Sequence, residues 1–198
     1  MAIPKEALVY VSRLSKEEKA GLFSAREISA LLQSDGGGGS DMISAFRLCL
    51  NDVVLDRLVL AHSFLEMART LFRVATEAAF RTSIGRAYYS IHHSIRVMVL
   101  SQTEFESDGH DEAIQMLKEL LKDNAFKAKS GLPPDICANV YVAKDNRHVA
   151  DYSPYEISRG ANNIAHLHIT DSDWQKAAAF NIKLAELLDS AAAKVVGL

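Results

Sequence analysis

The chain is expected to be all-α, and three features of its sequence point that way. Beyond Met42, apolar residues recur at three- and four-residue spacing through long stretches without Gly or Pro. No region alternates convincingly between apolar and polar with period two, as a half-buried strand would. The strongest breaks fall between these stretches, at Gly36–Gly39, Gly131-Leu132-Pro133-Pro134 and Ser153-Pro154. The expected architecture is an up-and-down bundle of four to five helices with short connections, preceded by a short tethered N-terminal segment.

That first piece, residues 1–34, holds five basic and four acidic side chains and two capping-box patterns, Ser15 with Glu18 and Ser24 with Glu27. Its apolar residues are Leu8, Val9, Tyr10, Val11 and Leu14, then Leu22, Phe23, Ile28, Leu31 and Leu32. A segment this small cannot bury a core of its own. It is therefore expected to rest on a partner surface, and the bundle is the nearest one. Residues 35–41, Asp-Gly-Gly-Gly-Gly-Ser-Asp, carry four of the ten glycines and read as a flexible linker. The run followed by Met42 reads as an engineered junction between two natural pieces, with a natural low-complexity loop as the alternative. Such a tether spans roughly 13–15 Å on average and holds the two pieces at an effective concentration on the order of millimolar.

The bundle is placed at 42–198. One long helix is expected over Leu48–Val74 and a second over Ala79–Ser101. A third should cover Glu112–Lys122, capped near Asp108, and a fourth Asp135–His148, after the Gly-Leu-Pro-Pro break. The last is expected over Asp171–Val195, with Trp174, Ala177, Ala178, Ile182, Ala185, Leu188 and Ala192 turned inward.

Composition narrows the function classes. With 48% hydrophobic and 24% charged residues and mean hydropathy near zero, the chain has material for a real core. A net charge of −3 and a pI near 6.2 argue against a general nucleic-acid binder and leave room only for a local basic patch. Cys49 and Cys137 are far apart, without metal-ligand spacing, and read as reduced thiols. No run of about 18 apolar residues suggests a membrane span, and the first 30 residues lack a signal-peptide core, so a cytoplasmic location is expected.

Candidate chemistry lies in the second helix, at Gly85-Arg86-Ala87-Tyr88-Tyr89-Ser90-Ile91-His92-His93-Ser94-Ile95-Arg96. At about 100° per residue, Arg86, Tyr89, Ser90 and His93 share one face, with Ala87, Tyr88, Ile91 and Ile95 opposite. Arginine offers a planar fork to a phosphate, and histidine moves protons near neutral pH. The same stripe would also serve as a packing network, with Asp151 pairing one of the arginines. Neighbouring histidines, His92 with His93 and His166 with His168, lack a carboxylate or Cys to complete a metal set, so neither metal nor cofactor is expected.

Arg86-Ala87-Tyr88-Tyr89 followed by His93, then His110, then Arg147-His148-Val149-Ala150-Asp151-Tyr152 resembles the HEPN family of small helical-bundle domains. The first run is similar to that family's second-helix signature, and the last to the Arg-x-x-Ala-Asp-Tyr segment of a prokaryotic branch. The resemblance covers about Val53 to Val195 and none of residues 1–41. It implies a bundle of four or five helices, a homodimer, and in many members a metal-independent endoribonuclease of toxin or phage-defence type. The partner it implies is a nucleotidyltransferase or other antitoxin, which residues 1–34 would represent. In the nuclease members an Arg-x(4–6)-His pair supplies the chemistry; Arg147, Asp151 and Tyr152 of this chain read as a binding or structural cluster, pinning the late helix to the bundle.

Spacing alone does not select the pair. Eleven arginines and seven histidines in 198 residues yield roughly one such match by chance. Four occur: Arg57/His62, Arg86/His92, Arg86/His93 and Arg159/His166. The nuclease motif normally lies on a late helix, yet Arg147 is followed at the allowed offsets by Tyr152, Ser153 and Pro154. Arg86, Tyr89 and His93 are thus the first catalytic set, with Arg159 and His166 as the alternative pair. Two function classes stand at this point: a ribonuclease acting on RNA, and a non-catalytic module that binds a protein partner or a nucleotide.

Overall fold

The structure is a computed structural model, and it describes residues 39–104, 107, 109–152 and 170–198, with side chains from Leu50 onward. The described residues form six α-helices and no strand: α1 Gly39–Phe72, α2 Glu77–Thr103, α3 His110–Leu120, α4 Asn124–Ser130, α5 Ile136–Tyr152 and α6 Asp171–Val196. They pack as a helical bundle. Among these residues no helix is long and apolar enough to cross a membrane.

α2 is the central helix, packed against α1, α3, α5 and α6. Most of its length is buried for that reason, including Ile84, Tyr88, Ile91, Ile95 and Met98. Its start is capped by the Thr76 hydroxyl, which accepts from the Ala79 amide at 3.3 Å. Ala75, just before, reverses the chain in the left-handed region at φ 57°. The turn makes α1 and α2 antiparallel: Phe72 meets Phe80, Ser83 Oγ donates to the Ala68 carbonyl at 2.8 Å, and Phe64 meets Tyr89 and His93.

α5 and α6 complete the four long helices. Asn181 of α6 is fully buried, and its amide closes the junction by donating to the Ala143 and Ile84 carbonyls and accepting from Asn146 Nδ2 at 3.0 Å. A buried amide so satisfied costs little, whereas an unmatched one would be expensive. Near one end, Arg81 lies 4.9 Å from the Trp174 ring and donates to the Ala150 carbonyl at 3.0 Å. The pairings along α1, α2, α5 and α6 show that α1 and α5 run one way and α2 and α6 the other.

The element boundaries depart from the sequence expectation in instructive ways. α1 begins at Gly39, so Gly39, Ser40 and Asp41 are helical rather than linker. A long apolar helix can propagate a few residues past its packed part, because each added residue costs far less than starting a helix. α3 begins at His110 behind Gly109, which makes no side-chain cap bond, and Asp108 lies outside the described residues. α4 was not expected; Asp123 starts it by accepting from the Ala125 amide at 2.8 Å. Residues 1–34, residues 35–38, Ser153 and Pro154 lie outside the described residues. Cys137 is a free, half-buried thiol.

Gly131 ends α4 in the left-handed conformation, φ 67°, with its amide bonded to the Lys127 carbonyl at 2.9 Å. A Cβ there would meet only Lys194 Nζ, at 4.0 Å, so the cost of a side chain is conformational rather than steric. Gly131→Ala is expected to destabilise the fold by about 1–2 kcal/mol in chemical denaturation. An unchanged midpoint would contradict this account of the turn.

Candidate functional site

The exposed edge of the α1–α2 seam carries the candidate site. Phe64, on α1, is its platform. The His93 ring stacks on it at 5.7 Å with planes 4° apart, Tyr89 lies at 5.5 Å, and the Arg86 guanidinium sits 5.8 Å from its centroid. Three residues spaced i, i+3 and i+7 along α2 thus converge on one aromatic side chain of the neighbouring helix. Arg86, Tyr89, His93 and Phe64 are all half-buried, so the group keeps contact with solvent. Ser90, placed on the same face by helical geometry, is fully buried, because α2 is covered from more than one side.

α5 closes the group from its other end. Arg147 Nη2 donates to the Tyr89 hydroxyl at 3.3 Å, and its guanidinium lies 5.5 Å from the Tyr89 ring. Arg147 Nε also pairs with Asp151 Oδ2 at 2.6 Å, one helical turn away. Asp151 reaches the backbone of α2: a Cβ on Gly85 would stand 3.6 Å from its Oδ1. The two sequence motifs, about 60 residues apart, therefore meet through Tyr89 and Arg147. Tyr152 does not join them; it is 66% exposed and lies against His148, with ring centroids 4.8 Å apart.

Further along the stripe the field is strongly positive. Arg57 of α1 and Arg96 of α2 act on each other: burial and then the Arg96 charge push the Arg57 guanidinium down to about 10. Burial, followed by Arg57 and Arg96, pushes the His93 imidazole down to about 4. His92, almost fully buried, is pushed to about 3 by burial, with His110 as the next cause. The His92 and His110 rings are only 4.0 Å apart, and His110 Nδ1 lies 3.1 Å from the Tyr88 hydroxyl. Burial, Arg147 and Lys144 lower His110 as well. At neutral pH His92 and His93 are therefore neutral, standing among fixed positive charges.

His93 shows a further feature. Its Nδ1 is buried and has no hydrogen-bond partner among the described residues. Neutral imidazole with one nitrogen buried has the other nitrogen, Nε2, to offer a ligand. Arginine charge beside a neutral base suits an anionic group that carries a removable proton nearby.

Of the other sequence candidates, Arg57 and His62 do not act together. His62 Nδ1 turns to Asp189 of α6 at 3.2 Å on the open surface, whereas Arg57 is half-buried and feels the charge of Arg96. Arg159 and His166 lie outside the described residues. Among the described residues no group of three His, Cys, Asp or Glu is placed to hold a metal ion. Sequence reasoning missed Phe64, Arg57 and Arg96 as members of the site. Arg96 had a signal, since it continues the i, i+3, i+7, i+10 stripe from Arg86. Phe64 and Arg57 had none, because their place depends on the register of α1 against α2.

No protein-family model matches the chain, and no curated protein matches it.

Proposed function

We propose that the protein is a HEPN-type, metal-independent endoribonuclease of toxin or phage-defence type, regulated by a bound partner and acting as a homodimer. The observation that carries the reading is the half-exposed convergence of Arg86, Tyr89 and His93 on Phe64. The motif resemblance supplies the family, and the electrostatics of the seam support the chemistry.

In this reading Arg86 binds the scissile phosphate and neutralises the charge that grows on it. His93, neutral and half-buried, takes the proton from the ribose 2′-hydroxyl through Nε2. The 2′-oxygen bonds to phosphorus, the P–O5′ bond breaks, and the departing oxygen recovers a proton from the imidazolium. The products are a 2′,3′-cyclic phosphate and a 5′-hydroxyl, with no metal in the step. Tyr89, held by Arg147, positions the phosphate side of the stripe and carries no proton.

A second reading is a non-catalytic HEPN module that binds a protein partner or a nucleotide through the same face. The Arg147–Asp151 pair favours it, since that pair ties an arginine of the cluster into the scaffold. The intact chain incubated with structured RNA in EDTA separates the two. Cleavage leaving cyclic phosphate ends is expected. A folded protein that leaves every RNA intact would overturn the nuclease reading and leave the module.

A further inference from the structure

We infer that residues 1–34 of this chain dock on the bundle along an exposed apolar stripe of α1, formed by Leu60, Phe64, Met67 and Leu71, with the Leu8–Leu14 run lying over Phe64. The docking stands on that surface and on the sequence of the segment. Its consequence for activity rests on the reading of the α1–α2 seam as the catalytic site.

α1 has more apolar surface than the bundle uses. Val54, Ala61, Leu65 and Ala68 are buried and make up its core face. Leu60, Phe64, Met67 and Leu71 recur at four-, three- and four-residue spacing, about 100° round the helix from that face. Leu60 is 41% exposed and Met67 47%, while Phe64 and Leu71 are half-buried. The Tyr89 ring beside Phe64 extends the patch, and Arg86 stands at its edge. Such spacing is the seam that one helix offers to a second segment laid along it. Apolar residues exposed singly need no partner; a row of them on one face does.

The chain itself carries the occupant. Residues 1–34 are too few to bury their own apolar side chains, and Leu8, Val9, Tyr10, Val11 and Leu14 crowd into one short run. Ala7–Ser12 carries no charge, which suits a surface of Leu, Met and Phe. The segment is joined to the start of α1, so α1 sets the distance to be covered. Leu60 and Met67 lie about 32 Å and 42 Å from Gly39 along the helix. Counted back from Gly39, Leu14 and Leu8 stand about 38 Å and 46 Å along the chain at helical rise, and farther if it is extended. A chain that turns back at Gly36–Gly38 therefore brings Leu8–Leu14 level with Leu60–Met67. The tether supplies an effective concentration on the order of millimolar, so a contact with a dissociation constant of about 0.1 mM holds the segment down roughly nine-tenths of the time. A segment so placed covers the solvent side of Arg86, Tyr89 and His93. The partner that regulates the site is then the chain's own N-terminal piece.

Amide exchange of the intact chain, followed by mass spectrometry, tests the inference. Exchange over residues 8–14 is expected to be about tenfold slower than in an unstructured chain. Leu60→Glu and Met67→Glu, each at an exposed side chain and so tolerated by the fold, should remove that protection. Val142→Glu, exposed on α5, should leave it in place. Leu8→Glu combined with Val11→Glu should release the segment from its own side and speed RNA cleavage by about tenfold. Exchange as fast as in an unstructured chain, or protection that both α1 variants leave intact, would overturn the docking. Fast exchange in a dimer that Leu60→Glu and Met67→Glu turn into monomers would also overturn it, and give the stripe to a second copy. Release without faster cleavage, in a protein that cleaves RNA, would overturn the covering of the site. Protection lost in the α1 variants, with RNA cleaved by no form, would keep the docking and remove the nuclease.

Discussion

On the proposed ribonuclease reading, replacing His93 with alanine is expected to slow RNA cleavage by about 10²–10⁴-fold, the usual worth of a positioned general base. Arg86→Ala should cost about 10²–10³-fold, through lost stabilisation of the charged transition state. The two effects should combine non-additively, because in that reading both groups serve one phosphate, and both pack on the Phe64 ring. Folding should be nearly unaffected, since both side chains are half-exposed and neither bridges two helices by a hydrogen bond that the bundle depends on. The pH profile adds a separate check. His93 is pushed down to about 4 by burial and then by Arg57 and Arg96. The acidic limb of kcat/KM, which reports the free enzyme, should therefore lie well below the ordinary imidazole value near 6.5. Bound phosphate offsets the arginine field, so the limb of kcat should lie at higher pH than that of kcat/KM. Cleavage that survives both substitutions would remove Arg86 and His93 from the chemistry while leaving the class of enzyme untouched.

Acid is expected to destabilise the fold through His92. In the unfolded chain this imidazole titrates near 6.5; in the fold it is pushed to about 3 by burial, then by His110, Arg96, His93 and Arg57. Above pH 6.5 both states are neutral and His92 contributes nothing to the pH dependence. As pH falls below 6.5, the unfolded chain takes up a proton that the folded one refuses. Stability is then lost at about 1.4 kcal/mol per pH unit until the folded value is reached. Each charged group that acts on it, His110, Arg96, His93 and Arg57, lowers it further. Urea denaturation at pH 7.5, 6, 5 and 4.5 measures the slope. His92→Phe, which keeps an aromatic ring against His110, should lower the slope by about 1.4 kcal/mol per pH unit and leave the share that comes from His93 and His110, both also pushed down; an identical slope in that variant would place the acid sensitivity elsewhere.

The helices themselves were legible because their signals are local. Eight of the ten expected helix ends lie within three residues of the observed ones, since apolar spacing, Thr76, Gly131 and the Thr170–Asp173 capping box act within a turn or two of chain. α4 escaped notice because its seven residues are too few for a periodic stripe. The early start of α1 at Gly39 went against glycine propensity, which is a weak prior once a long helix is already nucleated.

By itself the sequence determined that the chain is helical, that Arg86, Tyr89 and His93 share one face of α2, and that Ala87, Tyr88, Ile91 and Ile95 take the opposite side. All of these follow from the 100° step of a single helix. Only the tertiary structure decided that Phe64 lies under that face, that Arg147 reaches Tyr89, and that Ser90 is buried while His93 is not. It also brought Arg57 to Arg96 and His92 to His110, and with them the field that keeps His92 and His93 neutral. Helical periodicity sets the direction of a side chain about its own axis. Which neighbour it meets depends on register and crossing between helices, and that is settled by the packing of the whole core.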